Sequence, residues 1–118
     1  MILTSLKAAA LNAAAIRKIP ATKMELLDEA VAELSQRVDN FYVHLDVDVL
    51  DESEGRANSY ASGGGLSADD LYAVLKLLQR SGRIRVAGIT SYDPVCDPEG
   101  RVSAIVGKAV KILAGSVS

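Results

Sequence analysis

A chain of 118 residues with 49% apolar and 24% charged residues and a formal net charge of −2 has the size and composition of one globular domain, residues 1–118, with no room for a second core. It lacks a basic stripe, a run of like charge and an apolar stretch of bilayer length, which excludes nucleic-acid and membrane partners. Cys96 is the only cysteine. That excludes an internal disulfide framework and points to a reducing, cytoplasmic setting.

In chain order, residues from about Leu3 to Ala15 are rich in Ala and Leu and predict a helix. Lys7 and Leu11-Asn12 interrupt the apolar run, so it lacks the ordered regions of a signal peptide. Ile16 to Ile19, closed by Pro20, fits a short strand. Thr22-Lys23-Met24-Glu25 has the pattern of a capping box. The helix after it, through about Arg37, has Met24, Leu27, Ala30, Val31, Leu34 and Val38 at helical spacing, which predicts one buried stripe.

Phe41 to Leu50, FYVHLDVDVL, predicts an interior strand of a parallel sheet. A polar, glycine-rich loop follows from Asp51 to Gly65. Ser67 with Asp70 three residues on caps the next helix; Leu71, Val74, Leu75 and Leu78 form its apolar face and Gly82 stops it. Ile84 to Thr90 is a third strand, and a last helix runs from about Arg101 to Ala114. Strands alternating with amphipathic helices predict an α/β sandwich with a parallel sheet and right-handed crossovers.

Asp46 and Asp48 are the residues that disturb this pattern. Two apart on a strand, they share a face with His44. Two ionised carboxylates on a buried strand are costly, and a divalent cation at the strand end would offset both desolvation and repulsion. Two structural readings compete: the carboxylates cap the following turn, and His44 is a packed, hydrogen-bonded residue rather than a ligand. A phosphate loop of the form GxxxxGK with Ser or Thr is absent, and Leu50 and Asp51 occupy places that an EF-hand loop would need differently filled.

Residues 44 to 51, His-Leu-Asp-Val-Asp-Val-Leu-Asp, resemble the xDxDxxDP signature of the arginase/agmatinase ureohydrolases. Gly64-Gly65-Leu66 matches the GGL before a helix in that family, and Asp93-Pro94 its Asn-Pro or Asp-Pro step. The resemblance runs over about residues 16 to 114 and is to the C-terminal part of the family. It implies a partial arginase-like three-layer α/β/α sandwich and a binuclear Mn²⁺ centre that activates water for attack on a guanidinium or amidine carbon. It also implies a guanidino or amidine small-molecule substrate and a homo-oligomer. By this likeness Asp46 bridges the two metals, Asp48 binds one, and Asp51 supports the loop.

Three departures accompany the match. The family's other metal ligands sit in Gly-Asp-His and DAHxD motifs upstream, and this chain has one histidine. The family glutamate that pairs with a guanidinium is Ser91 here, which cannot form a bidentate charged pair. The proline after the third aspartate is Glu52, and the family's loop threonine aligns with Tyr60. The expectation is therefore a part of a C–N hydrolase that is inactive as an isolated chain. The alternative is a non-catalytic α/β module that oligomerises or binds metal weakly. Ser62 to Gly65 reads as a turn rather than an anion site, Cys96 as inert, and the arginines at 80, 83 and 85 as a solvated cluster or an interface.

Overall fold

The computed structural model describes residues 2–4 and 18–116. In chain order the elements are β1 (Ile2–Thr4), β2 (Lys18–Pro20), α1 (Met24–Arg37), β3 (Phe41–Asp46), α2 (Ala68–Arg80), β4 (Ile84–Thr90) and α3 (Arg101–Leu113), with short 3-10 turns in the loops. Among the described residues all strand pairing is parallel: β1 with β2, and β3 with β4. The architecture is the α/β one that alternating strands and helices predict.

Each helix forms for a legible reason. In α2 the Ser67 hydroxyl accepts the Asp70 N–H at 3.1 Å, Asp69 and Asp70 sit in the first turn, and Leu71, Val74 and Leu75 are buried along one stripe. Burying each such side chain contributes about 1.5–3 kcal/mol. Gly82, at φ +69°, ends the element. The N-cap of α3 is Gly100, which has no side chain to offer. Asp97 does the capping instead: its carboxylate accepts the N–H groups of Val102 and Ser103 at 3.2 and 2.9 Å and the Tyr92 hydroxyl at 2.9 Å. Burial pushes this carboxyl up, but the Ser103 N–H, the Tyr92 hydroxyl and the N–H groups of Val102 and Arg101 outweigh it and leave its pKa lowered.

Phe41, Val43 and Leu45 of β3 face the helices. Leu45 and Val43 meet Leu71, Leu75, Val102, Ile105 and Ile112 in one hydrophobic cluster. Phe41 joins Leu27, Ala30 and Val31 of α1 and Val74 of α2 in a second. The alternate residues, Tyr42, His44 and Asp46, lie on the outer face beside Val86, Gly88 and Thr90, their register partners. That face is bare among the described residues: Tyr42 is 63% exposed and Val86 58%. The described residues thus supply two adjacent layers of a sandwich, the sheet and the helices on one side. Arg85 is the extra residue at the one register shift of this pair, and it donates to the Asn40 side chain at 2.9 Å; Arg83 donates to the Val38 carbonyl at 3.1 Å.

Three sequence expectations change. Ile2–Thr4 is a strand rather than the start of a helix, because pairing with β2 overrides local propensity; the rest of that expected helix lies outside the described residues. Thr22 caps nothing: the Lys23 N–H closes a turn on the Pro20 carbonyl at 2.9 Å, and α1 starts one residue later with Lys23 at its N-cap. The strand expected over Phe41 to Leu50, β3, stops at Asp46, and Val47–Val49 is a 3-10 turn. Val47 and Leu50, at 0% and 2% exposure, are three residues apart and so fall on the same side of such a turn. Burying both is what curls the chain.

Candidate metal site at the end of β3

The turn re-aims the carboxylate pair. Asp46, the last residue of β3, is exposed and accepts the backbone N–H of Asp48 at 2.9 Å. It therefore acts as the N-cap of the turn that carries Asp48. Asp48 is not on the strand, so it does not share a strand face with Asp46. With Val47 and Leu50 pinned in the core, Asp48 is left half-buried on the turn, and its Oδ1 atom is withdrawn from solvent. His44 does share the outer face with Asp46, and its Nε2 and the Thr90 hydroxyl share a hydrogen bond at 3.0 Å. The Tyr42 ring stands edge-on to His44 with centroids 6.5 Å apart.

Asp51 organises the loop beyond. Its carboxylate accepts the N–H of Ser53 at 2.9 Å, of Gly64 at 2.8 Å and of Gly65 at 3.2 Å. Hydrogen bonding to Ser53 foremost, with the two glycine N–H groups against a small cost of burial, lowers its pKa to about 2. The glycine donors are thereby used inside the protein, in keeping with a turn rather than an anion cradle. Gly65 passes against the backbone of Leu50 and Asp51 so closely that a Cβ would overlap Leu50 C and O and Asp51 N. Only glycine fits this crossing, where Leu50 and Leu66 form a parallel bridge.

A second clasp joins this loop to the one after β4. The Asn58 side chain donates to the Ser91 carbonyl at 2.8 Å and accepts the Tyr60 N–H at 2.8 Å, while Asp93 N–H donates to the Ala57 carbonyl at 2.7 Å. Ser91 is held at φ +72°, the one left-handed non-glycine among the described residues. Tyr60 projects into solvent at 83% exposure. Sequence reasoning missed Asn58 and Thr90. The turn-forming habit of Asn was a signal for the first; nothing marks Thr90 without the β3–β4 register. Cys96 lies half-buried beside Asp93, and burial, then the Asp93 charge, push its thiol up. It stays protonated near neutral pH.

Asp46 and Asp48 are the two expected metal ligands, one at the end of β3 and one on the turn after it. Among the described residues no three His, Cys, Asp or Glu side chains come together as a ligand set. Hard divalent cations take six or more oxygen ligands, so two carboxylates do not make a complete protein site. No helix among the described residues is long and apolar enough to cross a membrane.

In open parallel α/β sheets ligands gather beyond the carboxyl ends of the strands, and the carboxylate turn lies at such an end. The match is more particular: residues 3–114 fit the model of the arginase family, and the chain belongs to that family. It is 31% identical over 85 residues to the formimidoylglutamase of Enterobacter sp. (strain 638), covering 72% of this chain and 26% of that protein. Among solved structures, the formimidoylglutamase of Bacillus subtilis subsp. subtilis str. 168 superposes with a TM-score of 0.75 at 18% identity, over 86% of this chain and 33% of that one. Helicobacter pylori arginase superposes with a TM-score of 0.73 at 23% identity, over 86% and 36%. The fold is thus the C-terminal part of an arginase-like α/β fold. The chain spans about a quarter of the length of the curated relatives it matches.

Proposed function

We propose that this chain supplies the Asp46–Asp48 side of a manganese-dependent hydrolase that cleaves a C–N bond of a linear amidine, completed by ligands from outside these 118 residues. The observation that carries the reading is the carboxylate turn at the end of β3, within a family match over residues 3–114. Oxygen ligands suit a hard cation, and nitrogen ligands added to them shift the preference toward Mn²⁺. When bound, such a metal pair supplies activated water.

Ser91 shapes the substrate proposal. A hydroxyl in place of a carboxylate cannot pair bidentately with a planar guanidinium. That favours an amidine head such as a formimidoyl group over arginine or agmatine, in keeping with the formimidoylglutamase names of the matched relatives. A cytoplasmic setting and homo-oligomeric assembly belong to the same proposal. The second reading, a non-catalytic α/β module, draws on the two-carboxylate ligand set.

Calorimetric Mn²⁺ titration, with an assay of formamide release from N-formimidoylglutamate and of urea release from agmatine and arginine, tests the proposal. The chain alone is expected to turn over none of them; clear release by it would overturn the half-site reading. Asp46→Asn with Asp48→Asn is expected to abolish measurable Mn²⁺ binding. Unchanged binding would place the metal elsewhere and leave the second reading.

A further inference from the structure

The loops beyond β3 and β4 are joined through one side-chain amide. Asn58 accepts the Tyr60 N–H and donates to the Ser91 carbonyl, each at 2.8 Å, and the Ala61 N–H closes the turn on the Asn58 carbonyl at 3.3 Å. Thr90 is the register partner of Asp46, so Ser91 lies one residue past the level at which the carboxylate turn begins. Tyr60 is thus tied, through Asn58 and Ser91, to the end of the sheet where Asp46 stands.

The backbone of Tyr60 is held, but its side chain is not used. The ring is exposed, and among the described residues neither its faces nor its hydroxyl have a partner. Tyr72, by contrast, carries the Lys108 ammonium 4.5 Å from its ring centroid. A single exposed aromatic is ordinary on a protein surface; the charges around this one are not. Its loop and the turn before it hold Asp46, Asp48, Asp51, Glu52 and Glu54 against Arg56 alone, a field that draws cations in. The face of an aromatic ring is itself the negative end of a quadrupole, and planar delocalised cations lie flat on it. An amidinium, protonated at neutral pH, is such a cation.

We propose that Tyr60 is a specificity-determining residue: its ring stacks on the planar amidinium head of the substrate and supplies the charge recognition that the Ser91 hydroxyl cannot. Ser91 has no charge to pair with the edge of the head, and Asn58 holds beside it a ring that attracts the face. A neutral amide of the same shape lacks the charge and is rejected. That the stacked cation is a substrate rests on the proposed function; the stacking rests on the ring and its acidic surroundings.

An NMR titration of the 118-residue chain with formamidinium chloride tests this, with formamide as the neutral isostere and sodium chloride as the ionic-strength control. Formamidinium should shift the Tyr60 ring protons saturably, and its own C–H proton should move upfield because it lies over the ring. Formamide and sodium chloride should do neither. No response at Tyr60, or an equal response to formamide, would overturn the inference. Tyr60→Leu should weaken binding about two- to fivefold, the range of an exposed cation–ring contact, and abolish the upfield shift. Tyr60→Phe should keep that shift; its loss there too would make the hydroxyl the contact and overturn the stacking. The ring packs on nothing among the described residues, so neither substitution should move the melting temperature. Stacking by a chain that binds no Mn²⁺ would leave the Tyr60 platform standing and remove the metal reading. Mn²⁺ binding without stacking would overturn the platform and spare the metal reading.

Discussion

The backbone N–H of Asp48 donates to the Asp46 carboxylate at 2.9 Å, so the first carboxylate of the pair sets the position of the second. Asp46 thus has a structural duty in the metal-free protein as well as a proposed ligand role. The two duties separate by substitution. Asp46→Ala removes the cap and should cost about 1 kcal/mol in urea denaturation without metal. Asp46→Asn keeps an acceptor oxygen and should cost clearly less. Equal losses would show that charge, rather than the cap, is what the turn requires.

Asp51 should make stability depend on pH. Its folded pKa, about 2, lies below its unfolded value near 3.8. Its contribution is therefore fully present above about pH 4 and is lost as pH falls through about 2. Asp97, also lowered, acts in the same direction. Urea midpoints between pH 5 and pH 2 should fall less steeply in Asp51→Asn than in the parent chain. Parallel curves would remove Asp51 from the explanation.

Gly65→Ala forces a methyl into the backbone of Leu50 and Asp51. Backbone gives way poorly, so the expected cost is about 3 kcal/mol or more, at the upper end of overpacking penalties. Circular dichroism melts would register it. A change below 1 kcal/mol would mean that the loop after Asp51 can relax away from α2.

Asp97→Ala strips α3 of its cap and leaves the Tyr92 hydroxyl and two helix N–H groups without their acceptor. A loss of about 2 kcal/mol or more is expected. Asp97→Asn, which retains one carbonyl acceptor, should recover part of it.

Ser91→Gly should raise stability by about 1 kcal/mol, since φ +72° penalises any Cβ. A loss instead would show that the serine side chain contributes a contact worth more than the strain. The clasp on the Ser91 carbonyl from Asn58 is the test's internal control: Asn58→Ala should cost stability in both backgrounds.

Much of this was legible from local chemistry. Ser67 and Asp70 announced α2, and the β-branched run Ile84 to Thr90 coincides with β4. Where sequence reasoning failed, a nonlocal term intervened. Val47, Val49 and Leu50 look extended in isolation, yet burial of Val47 and Leu50 against residues from α2 and α3 curls them into a turn. Ile2–Thr4 is a strand because a partner 16 residues away pairs with it. In the candidate site, Asp46 and Asp48 stand out by residue type and spacing, and Asp51 by the family resemblance. The Asn58–Ser91 clasp spans 33 positions and leaves no local trace.

The cluster that buries Val47 and Leu50 joins β3, α2 and α3, and α3 contributes Val102, Ile105, Ala109 and Ile112 to it. The turn itself lies far from α3 in the chain, yet these side chains help to hold Val47 and Leu50 inward. The spacing of the two carboxylates is therefore tied to the packing of a distant helix, and a substitution that loosens α3 should loosen the Asp46–Asp48 turn as well.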